Sequence, residues 1–212
     1  MRKYIIYILL FPLALFAQND GKGVLDKAVE KLLADYPLQM TFVVSVLDED
    51  GALCFVDEGC MKIDKKDDSL AADRYQLLMN NMKVWCDGAT LWSYMEPTDE
   101  TYILAPDDES ARIFSPVHLM QLYKLGYSCT LKKEGESNVV TLLSQSADND
   151  FGKIDVVLNS VTLRPEKIVI YVDGEGSTEL KIATYWPRCN FEKRIFTYPK
   201  EDYPNAEIVD MR

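Results

Sequence analysis

Apolar residues between positions 24 and 33 recur every three to four residues, which is the spacing of one face of an α-helix. This apolar stripe consists of Val24, Leu25, Ala28, Val29, Leu32 and Leu33. Lysines and acidic residues occupy the positions between them, so the pattern predicts an amphipathic helix with one buried side. We expect the helix to end at Asp35-Tyr36-Pro37, because the residue before a proline is disfavoured in helical geometry.

After this helix the pattern changes to short runs with a period of two, which is typical of β-strands. In the first run, Phe42, Val44 and Val46 share one face, and residues 48–51 form a polar hairpin turn behind it. Strands are predicted over residues 41–47, 53–63, 74–85, 91–95, 101–104, 128–133, 138–144, 154–159, 167–172, 178–185, 196–198 and 208–210.

One interruption in this series of strands predicts a second helix. Ser115-Pro116 supplies a hydroxyl cap and a proline at the first helical position, and Gly126 ends the segment. Its apolar positions are Val117, Met120, Leu122 and Tyr123. Many short strands with hairpin turns and two helices predict a mainly β (α+β) fold, in which the helices cover a curved antiparallel sheet. No internal linker divides the chain, so we expect a single domain.

The N-terminus has the pattern of an export signal. Arg2 and Lys3 precede an apolar stretch over residues 4–16, and Ala17 supplies a small residue before a polar sequence. The apolar stretch is shorter than the roughly 20 residues that span a bilayer. We therefore expect residues 1–17 to be a cleaved signal peptide and residues 18–212 to be the exported domain. The alternative is a short membrane anchor that is never cut.

The charge of the chain excludes one class of partner. Its net charge is −11, and residues 1–17 carry two of the positive charges and no acid, so the remainder carries −13. Such an acidic surface repels phosphate backbones, and we expect no nucleic-acid partner. Five cysteines are present, at Cys54, Cys60, Cys86, Cys129 and Cys189. An odd number leaves at least one thiol unpaired, and we interpret them as free, buried thiols, although an exported protein could oxidise some of them.

The residues that usually carry catalysis are scarce. His118 is the single histidine, and the sequence contains no nucleophile elbow and no phosphate-binding loop. The acidic turns around Asp48 and Asp150 lack the remaining ligands of a calcium loop. We therefore expect no metal, no cofactor and no enzymatic activity. A catalytic pair of acidic residues remains an open alternative, since 34 acids allow many pairs in space.

The sequence Cys-Asp-Gly-Ala-Thr-Leu-Trp-Ser-Tyr, from Cys86 to Tyr94, resembles a hairpin of the periplasmic outer-membrane lipoprotein carrier family, the LolA-like proteins. The order of the predicted elements and the C-terminal sequence from Phe196 to Asp210 are similar to that family as well. The resemblance implies an unclosed β-barrel with helices over its mouth, and an apolar cavity for the acyl chains of lipoproteins. It also implies a periplasmic location, no cofactor, and two partners: an inner-membrane lipoprotein-releasing ABC transporter and an outer-membrane acceptor.

On this reading we expect a monomeric carrier that moves lipoproteins from the inner towards the outer membrane. The predicted lipid-binding residues are Leu25, Val29, Leu33, Phe42, Val44, Val46, Trp92, Met120 and Leu122. An alternative is a periplasmic regulatory or sensor domain that binds lipid or lipoprotein together with a membrane protein. One departure concerns the family's Arg-Pro pair after the second strand, where this chain has Lys65-Lys66. A lysine lacks the planar fork of an arginine, which leaves the family's latch between sheet and helices in question.

Overall fold

A computed structural model describes residues 20–65, 73–106, 116–146, 151–172 and 174–212 of the chain. The predicted signal peptide, Ser115 and the turn at residues 148–150 lie outside these ranges. Helix α1 spans Gly21–Ala34, and the Asp20 carboxylate caps its first turn by accepting the Gly23 N–H at 2.8 Å. Helix α2 spans Pro116–Gln121 and continues into a 3₁₀ turn, Leu122–Leu125, which ends at Gly126 in the left-handed conformation.

The described residues form twelve strands. They are β1 (Leu38–Leu47), β2 (Leu53–Asp64), β3 (Arg74–Leu78), β4 (Met82–Cys86), β5 (Leu91–Met95), β6 (Glu100–Leu104), β7 (Tyr127–Glu134), β8 (Ser137–Ser144), β9 (Lys153–Asn159), β10 (Pro165–Val172), β11 (Gly176–Trp186) and β12 (Glu207–Asp210). They belong to one sheet in the order β12-β6-β5-β4-β3-β2-β1-β11-β10-β9-β8-β7. All neighbours are antiparallel except β12 and β6, which run parallel. The two end strands, β12 and β7, do not pair with each other, so the curved sheet stays unclosed, as predicted.

Two predicted strands were wrong in detail. The single strand expected over residues 74–85 is divided into β3 and β4, because a turn reverses the chain and the Met79 N–H donates to the Met82 carbonyl at 2.9 Å. The strand expected over residues 196–198 is replaced by a 3₁₀ turn, Lys193–Phe196. A further 3₁₀ turn, Lys200–Asp202, leads the chain towards β12.

The main core lies between the two helices and one face of the sheet, which we call the inner face. Strand β1 shows the alternation that produces it: Leu38, Met40 and Phe42 are buried, while the residues between them are partly exposed. From α1, the core receives Leu25, Ala28, Val29 and Leu32. A second, smaller apolar cluster lies on the opposite, outer face, where the C-terminal residues Tyr198 and Tyr203 cover Trp85 and Tyr94.

Candidate functional site

An apolar cavity of about 260 Å³ lies on the inner face of the sheet beneath helix α2. Strands β1, β2, β3, β10 and β11 supply its walls, the start of β4 supplies Met82, and Leu119 of helix α2 closes it from above. Its lining consists of Met40, Phe42, Val44, Met61, Leu77, Met79, Met82, Leu119, Pro165, Ile168, Leu180 and Ile182. The main core surrounds this space, so the cavity interrupts an otherwise packed interior.

The lining contains no charged side chain and no polar side chain. Four of its twelve residues are methionines, namely Met40, Met61, Met79 and Met82. Methionine is unbranched and polarisable, and it adapts to ligands of irregular shape more readily than leucine or isoleucine does. A cavity of this kind suits a flexible alkyl chain, because it offers apolar contact without the directional groups that would orient a polar ligand.

Local features of the sequence shape the cavity at Phe42. Gly59 lies directly opposite Phe42 in the β1–β2 pair, and both are buried. A Cβ atom on residue 59 would lie 2.3 Å from Cζ of Phe42, so the glycine makes room for the aromatic ring across the strand. The pairing of β1 with β11 changes register between Thr41 and Phe42, and Ala183 is the extra residue of this β-bulge. Bulges of this type bend a strand and re-aim its side chains.

The structure places the nine predicted lipid-binding residues in four groups. Phe42 and Val44 line the cavity. Val46 shares their face of β1 but lies beyond the lining, half-buried. The helix residues belong to the packed core around the cavity: Leu25, Val29, Met120 and Leu122 are buried, and Leu33 is partly buried against them. Trp92 lies on the outer face, packed against the aromatic cluster of Trp85, Tyr94 and Tyr198, because Leu91 before it takes the inward position.

Sequence reasoning missed most of the lining. Met40 and Met61 lie on the same faces as predicted core positions, and strand alternation could have identified them. Leu119 is the helix residue that reaches the cavity, although the amphipathic pattern selected its neighbours Met120 and Leu122. His118, beside it, is half-buried. No sequence signal distinguishes a residue that borders a cavity from one that borders another side chain.

The two helices are held over the sheet by different contacts. At the C-terminal end of α1, the Asp35 carboxylate accepts hydrogen bonds from Arg164 (3.1 Å) and from the Tyr185 hydroxyl (3.1 Å). The Arg164 guanidinium also lies 4.5 Å from the centre of the Tyr185 ring. Burial, with the Asp35 carboxylate nearby, raises the pKa of Tyr185, so the phenol stays protonated as a donor. Helix α1 is therefore fixed to β11 and to the turn before β10.

The segment that contains α2 has a more exposed attachment. The Tyr123 hydroxyl donates a hydrogen bond to the Asp26 carboxylate of α1 at the surface. Lys22 and Lys124 lie over the Tyr123 ring, at 5.9 and 5.6 Å from its centre. Burial first, and then the hydrogen bond to Asp26, raise the pKa of Tyr123 to about 12. This polar contact links the second helix segment to α1 above the buried leucines.

The end of β2, where the family resemblance implies an arginine that contacts the helices, shows no such contact in the described residues. Lys65 is exposed at the end of β2, and Lys66 lies outside the described residues. Arg74 pairs with Asp64 at 2.8 Å within the β2–β3 pair, not with a helix. Within the described residues, the guanidinium of Arg164 contacts the end of helix α1, and Arg164 is followed by Pro165 of the cavity lining.

Two kinds of feature are absent from the described residues. None of the described helices is long and apolar enough to cross a membrane. The same part of the chain contains no group of three or more histidine, cysteine, aspartate or glutamate side chains that could hold a metal ion.

Both the sequence and the fold of the chain resemble known proteins. Residues 50–174, more than half of the chain, match the family described as outer membrane lipoprotein carrier protein LolA. No curated protein sequence matches significantly. Among solved structures, MucB superposes with a TM-score of 0.51 at 15% identity, covering 87% of this chain and 65% of MucB. The Pseudomonas aeruginosa MucA/MucB complex gives 0.44 at 17% identity, covering 84% and 62%. The LolA superfamily protein NE2245 from Nitrosomonas europaea gives 0.43 at 12% identity, covering 84% and 97%.

Proposed function

Because the chain belongs to the outer membrane lipoprotein carrier protein LolA family, we propose that it carries the acyl chains of lipoproteins in its apolar cavity. The proposed role is non-enzymatic transport through the periplasm, from an inner-membrane releasing transporter towards an outer-membrane acceptor. It includes a cleaved signal peptide at residues 1–17 and a carrier domain at residues 18–212. The observation that carries the proposal is the wholly apolar, methionine-rich cavity beneath α2.

The energetics of lipid transfer explain why a carrier needs such a cavity. Each methylene group that leaves an apolar environment for water costs about 0.8 kcal/mol, so a lipoprotein with several acyl chains does not leave a membrane unaided. A carrier must replace that environment while the lipid is in water. Phe42, Val44 and the four methionines offer apolar contacts that replace those of the membrane interior, and Leu119 covers these side chains when the cavity is empty.

A transfer assay tests the proposal directly. Donor vesicles would contain a fluorescent triacylated lipopeptide, acceptor vesicles would contain a quencher, and the protein would be added at increasing concentration. We expect the rate of transfer to rise with the protein concentration. Transfer that is independent of the protein, with no lipopeptide bound to the purified chain, would refute the proposed function.

Two substitutions on the same face of β1 provide a matched pair. Val44 lines the cavity, whereas Val46 lies beyond it on the same face. An amide side chain whose hydrogen bonds are incompletely satisfied in an apolar site costs about 1–3 kcal/mol, which corresponds to roughly five- to 150-fold weaker binding. We therefore expect Val44→Asn to slow transfer by roughly five- to 150-fold and Val46→Asn to preserve it. Equal losses in both variants would contradict the assignment of the cavity as the lipid site.

The same assay separates the carrier from the alternative role as a regulatory or sensor domain. A sensor would retain the lipopeptide without delivering it to acceptor vesicles, and would bind a membrane protein in a lipid-dependent way. The likeness to MucB concerns the fold alone, at 15% identity, and does not favour that role.

A further inference from the structure

A second hollow, of about 470 Å³, opens on the outer surface of the sheet next to the cavity. It is lined by Thr41, Phe42, Val43, Glu58, Gly59, Cys60, Leu78, Met79, Asn80 and Ala183. Phe42 and Met79 belong to the lining of both the hollow and the cavity. These two side chains therefore stand between the interior of the protein and its outer surface.

The sheet is interrupted at this level. Strand β3 pairs with β2 from Asp64 to Cys60 and then ends at Leu78, so residues 53–59 of β2 have no strand partner on that side within the described chain. Gly59, at the border, contributes no side chain, and the Ala183 bulge lies beyond β1 at the same height. A gap in the strand pairing thus lies between Gly59 and the turn that begins at Met79, and a side chain fills it: Met79 Cγ lies 3.2 Å from the position of a Cβ on residue 59.

Polar contacts bridge this gap at one point. The Asp57 carboxylate, only 5% exposed, accepts hydrogen bonds from the Asn80 N–H (3.3 Å) and from the Asn80 side-chain amide (2.5 Å). It also accepts the Glu58 N–H at 2.8 Å. Asp57 and Asn80 hold the end of β3 against β2, beside the apolar pair of Phe42 and Met79. Rupture of the two hydrogen bonds from Asn80 would release the turn from β2 without breaking the β1–β2 pairing, while backbone hydrogen bonds to β4 and to the residue after β5 still hold the turn.

The size of the cavity limits the length of the acyl chain that it can hold. Strands of the sheet and helix α2 bound a space of about 260 Å³, so a sufficiently long saturated chain does not fit inside it. A longer chain must either displace the helices or pass through the wall.

We infer that the gap between Gly59 and Met79–Asn80 is a side portal, through which the distal end of a long acyl chain passes from the cavity into the outer hollow. This inference rests on the proposed function. Phe42 and Met79 close the portal when the chain is short, and the Asp57–Asn80 contact limits how fast it opens. The occupant is a saturated chain longer than the cavity, and the portal extends the range of chain lengths that the protein accepts.

Fatty acids of graded length test the portal. Affinities of decanoate, laurate, palmitate and stearate would be measured by calorimetry, below their aggregation concentrations. In the wild type, affinity should continue to rise up to stearate, by as much as roughly fourfold for each fully buried methylene. In Ala183→Phe, a bulky ring occupies the hollow, so decanoate should bind unchanged while stearate loses at least tenfold. Ala52→Phe makes the same substitution at an exposed turn position outside both linings and should match the wild type.

A kinetic pair tests the same portal without filling it. Asn80→Ala removes a side-chain donor to Asp57, whereas Asn81→Ala changes the adjacent exposed residue. We expect Asn80→Ala to speed the release of stearate several-fold, with decanoate release unchanged, and Asn81→Ala to change neither. The portal would be overturned if either variant changed decanoate and stearate equally. It would also be overturned if Ala183→Phe left the affinity for stearate unchanged, or if Asn80→Ala left the release rate of stearate unchanged. Absence of binding by all four fatty acids in the wild type would refute the proposed function itself.

Discussion

Truncation of one leucine in each helix distinguishes a cavity wall from a packed core. Leu25 of α1 is fully buried, whereas Leu119 of α2 borders the cavity. Replacing a packed leucine by alanine costs the transfer free energy of the lost carbons plus the energy of the space left behind, about 3–5 kcal/mol in well-packed sites. Leu119 already lacks neighbours on one side, so Leu119→Ala loses mainly the transfer term, about 2 kcal/mol.

The two variants should also differ in their affinity for ligand, and here the larger effect is expected for Leu119→Ala. Leu119→Ala enlarges the cavity by the space of about three methylene groups, and we expect a several-fold gain in affinity for a branched or unsaturated fatty acid. Leu25→Ala should leave the affinity of the folded protein unchanged, because its side chain lies in the core outside the lining. Both changes keep good helix-forming residues, so helix propensity does not confuse the comparison.

Denaturant unfolding and titration with a fluorescent fatty acid, on the same preparations, provide the measurement. Unfolding gives the free-energy change from the shift in midpoint at constant slope, and the titration gives the dissociation constant of the folded fraction. If Leu119→Ala were as destabilising as Leu25→Ala and bound every fatty acid as the wild type does, the cavity would be ordinary core, and the reasoning would fail.

Two further predictions follow from ionisable groups. Burial of the Tyr123 phenol, and then its hydrogen bond to Asp26, raise its pKa from near 10 in an unfolded chain to about 12 in the folded one, so the folded state is favoured fully below pH 10 and this contribution is lost as the pH rises through 12. Tyr123→Phe should therefore lower stability at neutral pH and flatten the alkaline decline; identical alkaline curves for both proteins would contradict this. Burial raises the thiol pKa of Cys86 and of Cys129 to about 11. In a thiol-exchange assay at mildly alkaline pH, the thiols of Cys86 and Cys129 should both react far more slowly than the exposed thiol of Cys54. As a control, the three reaction rates should become similar when the protein is unfolded.

Much of the fold was predictable because strands such as β1 and β8 bury alternate residues on one face. Alternation along Leu38, Met40 and Phe42 identifies an inner face, and the acidic hairpin turns separate one strand from the next. The division of residues 74–85 was missed because the turn at Met79–Asn81 contains no glycine or proline. Its register is set instead by a backbone hydrogen bond and by the buried Asp57 on another strand, which is a long-range contact.

The site was harder to predict than the fold. In β4 and β5, apolar residues occupy both faces of the sheet, so alternation does not reveal which one points inward. Trp92 was therefore predicted to bind lipid, although the C-terminal segment covers it on the outer face. Leu119 and Leu122 are equally apolar, and the difference between them is whether a neighbouring side chain fills the space beside each. That difference depends on packing from six strands, and no local pattern encodes it.

The contacts of the helices indicate which cover can move to admit a ligand. Helix α1 is fourteen residues long, and Asp35 fixes its end to Arg164 and Tyr185. Helix α2 has six residues, too few to be stable alone, and its segment is tied to α1 by the surface contact of Tyr123. Displacement of α2 would uncover the cavity at Leu119 and expose the buried Met120 and Leu122, whereas the contacts of Asp35 would keep the end of α1 in place. Arg164 thus stabilises the end of helix α1 from the turn before β10. Although this chain has Lys65-Lys66 where the family has an arginine, an arginine still connects the sheet to a helix.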